Sequence, residues 1–195
     1  LPAGGAKRHT YEQVRELHLR GYEVDEFTQS TADRDFMPFA PFVVRTQVYT
    51  LPWKPLETVA IPGLGPYLHW WQNARNLSML DKQSQRIAGE INAGGYDLAF
   101  IKDCMFVAAP MLLRYLHIPS VFYMHSIPER PNADHSRGRA SIARKVVSTP
   151  VVAHARMVDR RHVENLRCAT RILTNSYFTR EICLLRYGID SHVVF

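Results

Sequence analysis

The chain has 195 residues, 46% of them hydrophobic and 11% aromatic, and a formal net charge of +6. This composition is globular and excludes a disordered or fibrous chain. No apolar run approaches the roughly 20 residues of a membrane span, the longest being "FVAAPMLL". The first residues do not read as a signal peptide.

The chain opens on "LPAGGAKRH", where Gly4 and Gly5 run into a helix predicted over Arg8–Arg20. Tyr11, Val14 and Leu17 share one face of that helix, and Gly21 is its stop. A glycine pair at a helix N-terminus suits an anionic group held on backbone N–H donors; the other reading is a plain tight turn. The third glycine of a G-x-G-x-x-G dinucleotide fingerprint is absent. "YEVDEFT" and "FVVRTQVYT" read as strands on either side of a polar loop at 29–38. "DRD" (Asp33–Asp35) in that loop has the form of a metal-holding D-x-D. No acidic or histidine cluster accompanies it, so no metal is expected. Residues 51–66 read as a proline-spaced loop. Tyr67–Ala93 reads as a long helix, with Leu77, Leu80, Ile87 and Ile91 at helical spacing.

"DLAFI", "SVFYM" and "RILT" are short apolar strands of the kind found in buried parallel sheets, and "HVVF" begins one more. Helices are expected near Val107–Leu116, with Pro110 in the first turn, and over a basic region interrupted near Pro150 and running to about Cys168. A further helix, capped by Ser176, carries Phe178, Ile182 and Leu185 and ends at Gly188. This alternation predicts an α/β fold: a Rossmann-like domain with a mostly parallel sheet flanked by helices.

Ligands of such sheets lie at the carboxyl ends of the strands. That rule selects Asp103, His125 with the loop behind it, including Arg130, and Asn175–Ser176. A histidine there suits acid/base work or a hydrogen bond to a substrate hydroxyl; its other reading is a strand cap. Arg130 is placed to reach a phosphate, or is simply solvated. Asp103 faces the same crevice, or caps the segment that follows it. A serine hydrolase is excluded, because no G-x-S-x-G elbow is present.

The charge is uneven. Residues 130–171 carry ten Arg/Lys against three acidic residues, a net +7, and the rest of the chain is close to neutral. A localised basic face points to an anionic partner, such as lipid headgroups or a phosphorylated substrate, or else is a solvated helix face. Nucleic acid is not expected, since no recognised binding motif accompanies the charge. Three widely spaced cysteines (Cys104, Cys168, Cys183) make neither a disulfide framework nor a zinc pattern, which fits a reduced, cytoplasmic setting.

"YDLAFIKDCMFVAAPMLLRYLHIPSVFYMHSIPERP", "ATRILTNSYFTREICLLRYGIDSHVVF" and "GGAKRHTYEQVRELHLRGYEVDEFT" together resemble the N-terminal domain of the family 4 (group 1) retaining glycosyltransferases. These are two-domain enzymes of the GT-B fold, and the likeness spans the chain apart from about 29–66 and 132–150. The resemblance implies transfer of a sugar from a nucleotide-sugar to an acceptor with retained configuration, with no essential metal and no cofactor. It implies that Gly4 and Gly5 approach the donor's diphosphate and that His125 contacts the transferred sugar. Asp103, Arg130, Asn175 and Ser176 become cleft neighbours. "HSIPER" is one residue longer than the H-x-P-x-R form found in some members. An acceptor that is anionic or lipid-linked, with peripheral membrane contact through 130–171, is the corresponding expectation for partners. The family's first strand would precede Leu1, and its C-terminal donor-binding domain would follow Phe195. The expectation is therefore a single domain over 1–195, part of a larger enzyme and nearly inactive by itself. The rival readings are a non-catalytic GT-B-like binding or regulatory subunit, and another GT-B enzyme such as a nucleotide-sugar epimerase.

Overall fold

The computed structural model describes residues 4–51, 53–54, 65–125, 127 and 142–194. They fall into two compact units, Leu1–Pro52 and Trp53–Phe195. The fold is α/β, with every paired strand parallel, as the alternation of strands and helices predicts.

In the smaller unit, helix α1 (Gly5–Leu19) is followed by strands β1 (Asp25–Gln29) and β2 (Arg45–Tyr49). α1 starts three residues earlier than its apolar spacing predicts, because the Gly4 carbonyl already accepts from Arg8 N–H at 3.0 Å. It ends in a Schellman motif: Tyr22 N–H bonds the Leu17 carbonyl at 3.1 Å and Gly21 N–H the His18 carbonyl at 2.9 Å. That geometry places Gly21 at φ 82°, which a side chain would resist. β1 and β2 pair in register from Asp25↔Arg45 to Gln29↔Tyr49. Tyr11 of α1 meets Phe42 edge-on at 5.4 Å, and Phe42 lies in a 3-10 turn (Ala40–Phe42) just ahead of β2 rather than in the strand.

The larger unit is built on strands β3 (Ala99–Lys102), β4 (Ser120–Met124), β5 (Arg171–Thr174) and β6 (His192–Val193), paired in that order. "SVFYM" and "RILT" are the strands their apolar runs predict. Helix α2 (Gly65–Ala93) leads into β3, a 3-10 turn (Met111–Arg114) joins β3 to β4, and α3 (Ile142–Leu166) and α4 (Tyr177–Tyr187) make the next two crossovers. Right-handed crossovers between neighbours in sequence order all fall on one face. The core shows it: Ile101, Phe122, Met124 and Ile172 of the strands pack with Leu113, Leu166, Cys183 and Tyr187. A second cluster, Leu77, Val107 and Met111 with Met157 and Val158, joins α2 to α3. Side chains alternate along a strand, so Phe100, Lys102 and Tyr123 belong to the opposite face.

Two expectations are corrected. The helix near Val107–Leu116 is a single 3-10 turn with Pro110 just ahead of it. Cys104 and Ala108 exchange backbone hydrogen bonds of 2.7 and 2.8 Å, with Ala108 at φ 55°, and this tight turn consumes residues a helix would need. The basic helix is not interrupted near Pro150; α3 runs through it. The helix is anchored beyond the proline by buried His162, Asn165 and Leu166, and such tertiary anchoring overrides the missing N–H.

His162 and Asn165 also fix the turn after β3. Ala109 N–H donates to His162 Nδ1 at 3.0 Å, and Asn165 Nδ2 donates to the Ala109 carbonyl at 2.8 Å. Burial drives the His162 imidazole from 6.5 down to about 4. The unfolded chain therefore binds this proton more readily, and the stability tied to the neutral ring is complete above pH 6.5 and lost as pH falls through about 4. A loss of about 3 kcal/mol is expected across that window. Melting temperatures measured along it should show the fall, and His162→Gln, which keeps an acceptor for Ala109, should flatten the profile.

Candidate functional site

Three strand ends meet at the carboxyl edge of the larger sheet. The register pairs Lys102 with Tyr123 and Met124 with Thr174, so the residues next in the chain, Asp103, His125 and Asn175, become neighbours. His125 is held by its backbone at both sides. Its N–H donates to Asp103 Oδ2 at 3.0 Å, and its carbonyl accepts from Asn175 Nδ2 at 3.1 Å. The ring lies against Tyr123, with centroids 4.7 Å apart and planes at 56°.

Ser176 acts one step back. It is the N-cap of α4, its Oγ accepting from Thr179 N–H at 3.2 Å. Thr179 Oγ1 donates to Asn175 Oδ1 at 3.1 Å, and Ser176 Oγ lies 3.4 Å from the same oxygen. These hydroxyls fix which way the Asn175 amide points and leave its NH₂ for His125. Ser176→Ala is expected to cost about 1 kcal/mol through the lost cap. The urea midpoint measures it, and Ser176→Asp should restore most of the loss.

Sequence reasoning missed Lys102 and Tyr123. Lys102 Nζ lies 4.2 Å from the Tyr123 ring centroid and 4.7 Å from that of Phe100. Burial lowers the ammonium to about 7 against the pull of Asp103. Burial, with Asp103, likewise raises the Tyr123 phenol. The one signal in the sequence is a lysine closing the apolar run "AFIK".

Gly4 and Gly5 belong to the other unit, where they open α1 with no side-chain cap. A Cβ at either position would meet nothing within 4 Å, so the helix start is sterically open. Lys7, two residues on, is buried; its ammonium donates to the Asp33 carbonyl at 3.0 Å and lies 3.9 Å from the Phe39 ring centroid. Asp33 is a turn residue: its Oδ1 accepts from Asp35 N–H at 3.0 Å and Phe36 N–H at 3.1 Å, and these bonds hold its carboxyl below the usual range. Among the described residues no cluster of three His, Cys, Asp or Glu is arranged for a metal. Arg130 lies outside the described residues, as does most of the loop behind His125.

A cleft of about 560 Å³ lined by Arg167, Arg171, Asp190 and His192 lies at the amino ends of β5 and β6. Ligands of parallel sheets gather at the other edge, so the Asp103–His125–Asn175 cluster remains the candidate. None of the helices among the described residues is long and apolar enough to cross a membrane.

A family model described as Glycosyltransferase Family 4 matches residues 3–195. No curated protein and no solved structure matches the chain.

Proposed function

Because this chain belongs to glycosyltransferase family 4, we propose that it supplies the acceptor side of an enzyme moving a sugar from a nucleotide-sugar to an acceptor with retained anomeric configuration. The observation that carries the proposal is the clamping of His125 by Asp103 and Asn175 at the carboxyl edge of a parallel sheet. A histidine whose backbone is fixed on both sides presents its ring to a ligand with little reorganisation, which is what electrostatic support of a transition state needs.

In this reading His125 hydrogen-bonds the transferred sugar as positive charge develops at the anomeric carbon. In the smaller unit, taken by itself, the backbone N–H groups around Gly4 and Gly5 suit an anionic group such as a diphosphate, with the α1 dipole favouring it. No metal takes part. The remaining donor contacts come from a second, C-terminal domain, and the chemistry takes place on the cytoplasmic side.

The test is a panel of nucleotide-sugars offered to the complete enzyme, with the anomeric proton followed by NMR. Transfer with an unchanged anomeric configuration is expected. An inverted product overturns the retaining mechanism. Release of an epimerised sugar supports the epimerase reading, and binding without turnover of any donor supports a regulatory subunit.

A further inference from the structure

The turn that follows Asp103 is fastened by groups that have no part in the proposed reaction. Cys104 N–H donates to the Ala108 carbonyl at 2.7 Å, and Ala108 N–H returns a bond to the Cys104 carbonyl at 2.8 Å. Ala108 sits at φ 55°, in the left-handed region that a β-carbon disfavours. Backbone in such a region persists only where its surroundings over-determine it, and it gathers at functional sites. Two supports are already described. Ala109 is pinned by His162 and Asn165 of α3, and Val107 is buried with Leu77 of α2 and Met111.

A third support comes from a stretch that reads in the sequence as a proline-spaced loop. Trp53, the first residue of the larger unit, stacks on Phe106 with ring centroids 4.0 Å apart and planes at 18°. The next residue, Lys54, is bonded twice to the side chain of Asn76. Its N–H donates to Oδ1 at 3.2 Å, and its carbonyl accepts from Nδ2 at 2.8 Å. Asn76 lies on α2 beside Leu77 and is 1% exposed. A polar side chain buried so deeply is costly unless its bonds are made, and both of its polar atoms bond the Lys54 backbone. Helix α2 thus holds Trp53–Lys54, and Trp53 holds the turn at Phe106.

What the turn carries is Asp103. Its Oδ2 accepts the His125 N–H at 3.0 Å, and its backbone runs directly into Cys104. The carboxylate therefore keeps its place only while the turn keeps its angle to β3. We infer that Trp53 is a positioning residue for His125: through Phe106 it fixes the turn at 104–108, and with it the carboxylate that receives the His125 N–H. Asn76 sets Trp53 in place for this. A stacked aromatic pair suits the task, because it gives a large contact between two rigid rings. The consequence for sugar transfer rests on the role proposed for His125; the structural link does not.

The experiment is amide hydrogen exchange of the chain followed by NMR, comparing His125 with Phe122, a core residue of β4. In Trp53→Leu the His125 amide should exchange about tenfold faster relative to Phe122, and Asn76→Ala should reproduce the change. Trp53→Phe, which keeps a ring over Phe106, should restore the parent ratio. In the complete enzyme, Trp53→Leu should lower kcat about tenfold with the donor KM held, and Trp53→Phe should recover it. An unchanged exchange ratio or an unchanged kcat in Trp53→Leu overturns the inference. So does faster exchange at both amides alike, which would make Trp53 a packing residue alone. A complete enzyme that transfers no sugar defeats the reading of His125, and the exchange ratio then decides the role of Trp53 by itself.

Discussion

Replacing His125 by alanine in the complete glycosyltransferase is expected to lower kcat/KM for sugar transfer by about a hundred- to a thousandfold. The two bonds that hold this residue, to Asp103 Oδ2 and from Asn175 Nδ2, use its backbone N–H and carbonyl. Alanine keeps both. The substitution therefore removes the ring, with its contact on Tyr123, and leaves the clamp in place. A melting temperature within a few degrees of the parent should accompany the lost rate, which separates a catalytic defect from a folding one. His125→Gln, able to hydrogen-bond but not to carry a proton, should recover part of the loss if the ring acts as a hydrogen-bonding group. Rates unchanged by either substitution would remove His125 from the reaction.

Gly5→Asp should act on the other partner, weakening the nucleotide-sugar by about a hundredfold or more, since a carboxylate would occupy the place proposed for the diphosphate. This prediction has an internal control of opposite sign. Gly5 is the first residue of α1, and an added side chain there meets nothing within 4 Å. An acidic residue in the first turn of a helix is favourable by about 0.3–1 kcal/mol, and replacing glycine in a helix adds to that. The variant should thus be slightly more stable while binding its donor far less well. Gly5→Ala, equally easy to accommodate but uncharged, should bind nearly as the parent does. Donor titrations by calorimetry beside melting curves measure both quantities, and an unchanged donor affinity in Gly5→Asp would end the phosphate assignment.

The parts of this fold that were legible in the sequence are those set by local chemistry. "SVFYM" is apolar after its first residue and reads as a buried strand, and "RILT" pairs with it. Ser176 and Gly188 mark the two ends of α4, the first by its hydroxyl and the second by a left-handed φ of 67°. The rule placing ligands at strand ends groups Asp103, His125 and Asn175 from the sequence alone. What escaped was decided by partners remote in the chain. The run after Asp103 has the composition of a helix, but Ala109 is held 53 and 56 residues away by His162 and Asn165. Pro150 would end an isolated helix, yet α3 is fixed farther along by buried side chains. Lys102 and Tyr123 become neighbours only through the pairing of β3 with β4. The aromatic run "YLHWW" carries the hydropathy of a buried helix start, and only its exposure distinguishes it.

The strand order β3-β4-β5-β6 bears on how this unit is made as well as on how it is held. Each strand pairs with one already laid down by the time it leaves the ribosome, so no late segment has to thread between earlier ones. Domains commonly form from the amino end during synthesis. The clamp around His125 would be completed in the same sequence. Asp103 comes first, then the histidine itself, and the Asn175 amide closes the set only after α3 has been added. A nascent chain halted before residue 171 would carry a sheet with two of its strands paired and a histidine secured on one side alone.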